Sequence, residues 1–284
     1  KNKFSVGDIF VAKIRKTIPG LNAAFVNVGH EKDGFLHYHD LGPKLLSLSK
    51  FVDEIDNKKV KSFSFNKFQF EKDIPKNGLI KDCLKAKQTT LVQIIKEPIS
   101  TKGPRLSSEI SLAGRFMVLI PFSERISISQ KIKSQDEKKR LKNLVKNIKP
   151  KGFGVIIRTV AKNKTVSELE GDLKDLILRW KRLCINFSKA NSYPTKILGE
   201  INRTTSKLRD VFDDSFSNIY LDDPNLYSEI KEYIKVIAPG KSSIVKLYKG
   251  VTPIFEKYGI ERQIKSSFGR TVSMQKGAYL IIEH

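Results

Sequence analysis

Arg158 and Thr159 follow the apolar run Gly154-Val155-Ile156-Ile157. An arginine at the end of a buried strand can grip a phosphate through its planar fork, and a neighbouring hydroxyl adds a second donor. A structural salt bridge is the other use of the same residue. Phe25 and Phe35 lie in or beside two adjacent strand patterns. Exposed rings there stack on unpaired bases, and buried rings make core; the residues alone leave both open. Lys102-Gly103-Pro104-Arg105 forms a basic turn that either touches backbone phosphates or is solvated. Phe63, Phe65, Phe68 and Phe70 are interleaved with polar residues at a spacing that suits one face of a strand. Packing of that face is preferred to a base-stacking surface.

Reaction chemistry is sparse by comparison. His30, His37 and His39 have only Asp33 and Asp40 as nearby co-ligands, and hydrogen bonding or stacking is the preferred reading. Asp213-Asp214 and Asp222-Asp223 could hold magnesium. They occupy ordinary helix-end and turn positions, where Asp serves local hydrogen bonds. No Gly-x-Ser-x-Gly, spaced Cys and His pair or Gly-rich phosphate loop occurs. No catalytic residue and no metal ligand is therefore expected in this chain.

The 284 residues carry a formal net charge of +23 and 39% hydrophobic residues. That balance suits two or three small domains and a polyanionic partner, because each cation near a phosphate releases condensed counterions. Anionic membrane surfaces share that attraction. No apolar run is long enough to span a bilayer, and residues 1–10 lack an apolar signal core. Cys83 and Cys184 are far apart and read as reduced structural thiols. A cytoplasmic location without membrane attachment is expected.

Short strand patterns at 6–14, 22–28, 34–37, 89–95 and 106–110, with one long connection at 40–85, predict a small closed barrel of the oligonucleotide-binding type. Residues 116–121, 126–129 and 154–158 read as strands, the last one buried. A helix over 134–148 starts at Ser134 with Glu137 as a capping box and is crowded by Lys138, Lys139, Arg140, Lys142 and Lys146. A longer helix, capped by Thr165 or Ser167, runs to about 190 with Leu169, Leu173, Leu176, Ile177 and Trp180 on one stripe; Trp180 is read as core. The remainder alternates: a helix near 204–213, a strand at 219–221, a helix at 225–238, a strand at 243–248 and terminal strands at 271–274 and 278–282.

Pro19-Gly20-Leu21-Asn22-Ala23-Ala24-Phe25-Val26-Asn27-Val28-Gly29 resembles the start of the S1 RNA-binding domain of the ribonuclease E/G family. Ser108-Glu109-Ile110-Ser111-Leu112-Ala113-Gly114-Arg115 resembles the junction after that barrel. Ile128-Ser129-Gln130-Lys131-Ile132 and Gly154 through Thr159 resemble the family's 5′-end sensor. Lys246-Leu247-Tyr248, Pro253-Ile254-Phe255, Ile260-Glu261 and Ile264 resemble its ribonuclease-H-like subdomain. The ordered succession covers nearly the whole chain, and Gly29-His30-Glu31-Lys32-Asp33-Gly34-Phe35-Leu36-His37-Tyr38 with a long insertion looks closer to the ribonuclease G type.

The resemblance implies an α+β multi-domain chain. An S1/OB-fold barrel would fill 1–112 with an insertion at about 40–86, a 5′-sensor domain 113–199, and an incomplete ribonuclease-H-like subdomain 200–284. It implies a magnesium-dependent endoribonuclease that acts on single-stranded RNA with a 5′-monophosphate end, in RNA processing and decay, and assembles as a homo-oligomer when full length. By that match Arg158, Thr159 and the Val118 backbone would hold the terminal phosphate, and Phe25, Phe35, Lys102 and Lys131 would contact RNA. Lys131 follows Gln130, where some relatives carry a second Arg. S1 character begins almost at Lys1, and the family's magnesium carboxylates and zinc-linking cysteines match positions beyond His284. This chain is thus expected to be an inactive front portion that binds no cofactor itself. The rival expectations are a general RNA-binding module without 5′-end discrimination and a self-contained nuclease using Asp213, Asp214, Asp222 and Asp223.

Overall fold

Four consecutive buried residues, Ile9 to Ala12, open the first strand, where neighbours lie on both edges of the chain and leave neither face to water. The structure is a computed structural model that describes residues 4–58, 63–199, 203–212, 215–238 and 240–283. The chain divides into two compact units, 1–211 and 212–284.

The first unit begins with β1 (Ile9–Ile18), β2 (Ala23–Asn27) and β3 (Gly34–His37). Helices α1 (Leu45–Asp56) and α2 (Ile80–Cys83) follow, then β4 (Thr89–Lys96) and β5 (Arg105–Ser107). The strand order β1-β2-β3-β5-β4 closes through pairing of β4 with β1, which makes a five-stranded barrel consistent with an OB-fold. A bulge between Ile14 and Lys16 lets β1 serve both β4 and β2. The β1–β2 turn ends on Asn22 in the left-handed conformation, which Asn tolerates. Its side chain accepts from the Ile80 amide at 2.7 Å and donates to the Gly78 carbonyl at 2.9 Å, so the insertion is tied to the barrel.

A second sheet takes the order β6-β7-β9-β8, from β6 (Leu112–Ala113), β7 (Met117–Pro121), β8 (Ile126–Ile128) and, beyond helix α3 (Gln135–Ile148), β9 (Phe153–Ile157). Helix α4 (Val166–Ser188) starts on the full capping box of Thr165 and Glu168. At α3 only half of the expected box forms. Ser134 accepts from the Glu137 amide, while the Glu137 carboxylate turns to Arg140 and the Asn163 amide. Strand β10 (Thr195–Leu198), absent from the sequence expectation, adds to the outer edge of β1, and α5 (Arg203–Val211) follows. Strand β9 is not buried throughout, since Ile156 is 38% exposed.

The insertion corrects the sequence reading most. Its helix α1 buries Leu45, Leu48, Phe51, Val52 and Ile55. Phe63, Phe65, Phe68 and Phe70 lie on no strand: a short turn at Phe65–Lys67 breaks the extended chain, with Ser64 capping it. Phe65 is 1% exposed and the other three pack around the same core. Their rings gather with Phe51, Phe122, Phe153 and Trp180, with Trp180 centroids 5.6 Å from Phe51 and 5.7 Å from Phe65. Trp180 is fully buried. The insertion thus joins the core shared by barrel and second sheet.

The second unit holds a parallel pair, β11 (Ile219–Leu221) and β12 (Val245–Leu247), joined by α6 (Pro224–Ile237), whose Ile230 and Ile234 are buried. Helices α7 (Ile254–Lys257) and α8 (Ile260–Ser267) and the hairpin β13 (Thr271–Ser273) and β14 (Tyr279–Ile281) follow. Among the described residues no helix is long and apolar enough to cross a membrane.

Candidate nucleic-acid interface

Strands β2 and β3 pair Phe25 directly opposite Phe35 on one barrel face. The rings meet edge-on with centroids 5.8 Å apart and are half-buried, so each keeps an accessible surface. His37 lies two residues along β3 on the same face and stacks on Phe35 at 6.4 Å; His39 follows at 5.1 Å. The Lys16 ammonium sits 5.6 Å from the Phe25 ring centroid. The basic turn lies across these rings. Phe25, Phe35, Lys16, Lys32, Lys96 and Lys102 line one open cleft of about 750 Å³. Gly103 fits the turn against the Asp33 backbone, where any Cβ would overlap a carbonyl oxygen. Arg105 is committed to Asp40 at 3.0 Å, so the other cations lining the cleft are the lysines.

The second locus is a corner of the other sheet. Arg158 directly follows β9, its amide donating to the Phe116 carbonyl at 2.8 Å. One guanidinium nitrogen donates to the Gly114 carbonyl and another to the Asp210 carboxylate, both at 2.8 Å. Thr159 is exposed, and its hydroxyl lies 2.9 Å from that of Ser129, which also accepts from the Lys131 amide at 3.4 Å. Arg158, Thr159 and the loop bearing Lys131 are therefore neighbours. Val118 stands inside the sheet, opposite Ala113 on one side and Ile156 on the other, so its backbone is flanked by strands.

Asp172 of α4 shapes this corner from behind. Its carboxylate accepts from three successive amides, Arg115, Phe116 and Met117, at 2.8, 2.9 and 3.0 Å. Burial pushes the Asp172 carboxyl above its usual range, opposed by those three N–H groups. Gly114 packs against the same carboxylate, with a Cβ there only 2.6 Å from it. The Gly114 carbonyl that anchors Arg158 is thereby fixed. Asp172 was not singled out from sequence, and Ser129 entered only as part of the Ile128 to Ile132 segment; the Gly114-Arg115 junction is the signal that points to this turn.

A second hollow of about 570 Å³ shares Glu97 and Ile99 with the aromatic cleft and reaches Ala113, Arg209 and Asp210. The two hollows thus meet across the 72% exposed Ile99, and the second is lined by Asp210, the carboxylate partner of Arg158.

The ribonuclease E/G family model matches residues 111–284. The chain belongs to the ribonuclease E/G family. It is 35% identical over 282 residues to ribonuclease G of Haemophilus influenzae, with 98% of this chain and 52% of that protein aligned. Ribonuclease E of a Nostoc species is 30% identical over 286 residues, covering 98% and 37%, and ribonuclease G of Escherichia coli K12 is 29% identical over 278 residues, covering 98% and 53%. The chain spans about half the length of the ribonuclease G relatives it matches. Magnesium finds no set of three or more His, Cys, Asp or Glu side chains among the described residues. Asp223 instead caps α6 by accepting from the Leu226 amide at 2.7 Å, and Asp213 and Asp214 lie outside the described residues. Among the described residues, no side-chain set fits that ion.

Proposed function

We propose that the chain is the RNA-binding and 5′-monophosphate-sensing portion of a single-strand-specific endoribonuclease. Residues 1–112 act as the S1-like barrel, 113–199 as the sensor and 200–284 as a ribonuclease-H-like subdomain. The observation that carries the reading is the cleft that gathers Phe25, Phe35 and Lys102 beside three further lysines. Two accessible rings on adjacent strands offer π-faces to successive unpaired bases, and the lysines follow the backbone between them. A duplex keeps its bases stacked inside and cannot use those rings.

The end-sensing role rests on Arg158, Thr159 and Lys131. A terminal phosphate monoester brings nearly two negative charges and three acceptor oxygens. The Arg158 fork and the Thr159 hydroxyl are donors of the kind such a group needs. A hydroxyl end offers no charge, and the Gly114 turn held by Asp172 gives the guanidinium a fixed seat. The hollow past Ile99 leads from the rings to Asp210, the partner of Arg158, and offers one strand a route toward this corner. In the whole enzyme, binding at both points would orient the strand toward the scissile bond.

The rival is a general RNA binder indifferent to the 5′ end. What favours it is that the Arg158 fork already has two protein partners. The test is titration of the chain with one short single-stranded RNA carrying a 5′-monophosphate or a 5′-hydroxyl, at fixed salt, alongside Arg158→Ala. End sensing requires tighter binding of the phosphorylated strand and loss of that preference in the variant. Equal binding by the unsubstituted chain, or a preference that survives Arg158→Ala, overturns the assignment.

A further inference from the structure

The Arg158 fork is not waiting empty; it is split between a backbone carbonyl and a carboxylate. The contact to Gly114 is structural, on a turn clamped by Asp172. The contact to Asp210 is of another kind. Asp210 lies in the last turn of α5, has a side chain 43% exposed and lines the hollow next to the aromatic cleft. A carboxylate at a helix C-terminus faces the negative end of the helix dipole, so helix stability does not explain it there. Two guanidiniums hold it instead: Arg158 at 2.8 Å and Arg209 with Nε at 3.5 Å. Arg209 is anchored separately, donating to the Ala113 carbonyl at 3.0 Å.

We infer that Asp210 is an internal stand-in for the RNA's terminal phosphate, a competing latch that the 5′-phosphate displaces from Arg158. This deepens the end-sensing reading and rests on it. The carboxylate supplies one negative charge and two oxygens between the guanidiniums. A phosphate monoester supplies nearly twice the charge and three oxygens, and so replaces it with a net gain of charge-assisted hydrogen bonds. A 5′-hydroxyl has nothing to offer in exchange, and the latch stays shut. A backbone phosphodiester brings a single charge, only equals the carboxylate and gains little by displacing it, while every end that does open the latch binds more weakly by the cost of opening. Because the pair is half-exposed, it holds the closed state by a modest factor, about 1.5 to 5 for pairs of this kind.

The experiment compares binding of the phosphorylated and hydroxyl forms of one ten-nucleotide strand to the full chain and to Asp210→Asn, Arg158→Gln and the double variant. Asp210→Asn keeps the side chain's shape and removes its charge. The expected result is a two- to fivefold rise in the phosphate-to-hydroxyl affinity ratio. The rise must vanish in the Arg158→Gln background, since the latch acts through that fork. An unchanged or lowered ratio in Asp210→Asn, with the unsubstituted chain still preferring phosphate, overturns the latch and leaves end sensing standing; Asp210 would then be orienting Arg158. A rise that persists without Arg158 also overturns it, as simple loss of repulsion. Absence of any preference in the chain and in Asp210→Asn overturns both readings. Thermal melting checks that the variants are folded, and Asp210→Ala, with the same expected sign, replaces Asp210→Asn if that variant is not.

Discussion

Replacing Phe35 isolates the stacking contribution of the barrel face. Its ring is half-buried, edge-on to Phe25 at 5.8 Å and stacked with His37 at 6.4 Å. Stacking on one base is worth about 1–3 kcal/mol, which is about 5- to 150-fold in affinity. Phe25 and Lys16 remain after the change, so a loss of about tenfold is expected for Phe35→Ala. Phe35→Leu keeps apolar bulk beside Phe25 but has no π-face, and should lose nearly as much. The assay is fluorescence anisotropy with a 3′-labelled single strand over a series of salt concentrations. Stacking releases no counterions, so the plots of log K against log salt for both variants should shift down in parallel. A loss below about twofold, or a change of slope with no loss at high salt, would show that these rings are barrel packing only.

Lys102→Ala should do the converse: the same plot loses about 0.7 of slope for the one phosphate contact removed, and the deficit closes at high salt. Trp180→Ala empties a site ringed by Phe51, Phe65, Phe122 and Phe153. It should cost about 3–5 kcal/mol in denaturant unfolding, and a cost under 1 kcal/mol would mean that the insertion does not share this core. The Glu137 carboxyl is lowered from 4.5 to about 2, chiefly by its hydrogen bonds with Arg140. A depressed carboxylate stabilises the fold above its ordinary range and loses that contribution as pH falls toward 2. Thermal midpoints between pH 5 and 2 should therefore fall less steeply in Glu137→Gln than in the unsubstituted chain; parallel curves would refute the pairing.

The barrel was legible because its strands are short runs rich in branched apolar residues, punctuated by Pro19-Gly20, Gly29 and Gly34. The α4 stripe and its Thr165 cap were equally readable. Strand β10 was not: four residues beside Pro194 become a strand only because β1 offers an edge. The insertion hid a helix whose Leu45, Leu48, Phe51, Val52 and Ile55 spacing was present but overlooked beside the Phe63 to Phe70 pattern. Those rings look like a strand face until Trp180, more than a hundred residues away, gathers them. At the candidate site, Arg158 at a strand end could be read locally. Its partner Asp210 and the Asp172 clamp on Arg115 to Met117 could not, because sequence separations of about 50 residues carry no local signal.

If one strand occupies both loci with its 5′ end at Arg158, photo-crosslinking from defined nucleotides will show it. A 5′-phosphorylated ten-nucleotide RNA would carry a single 4-thiouridine, either at its first nucleotide or in its interior, and cross-linked peptides would be mapped. The terminal label should reach the segments holding Ser129, Lys131 and Thr159, and interior labels those holding Phe25, Phe35 and Lys102. Terminal labels that mark the barrel face, or that mark both regions as often as interior ones do, would contradict it.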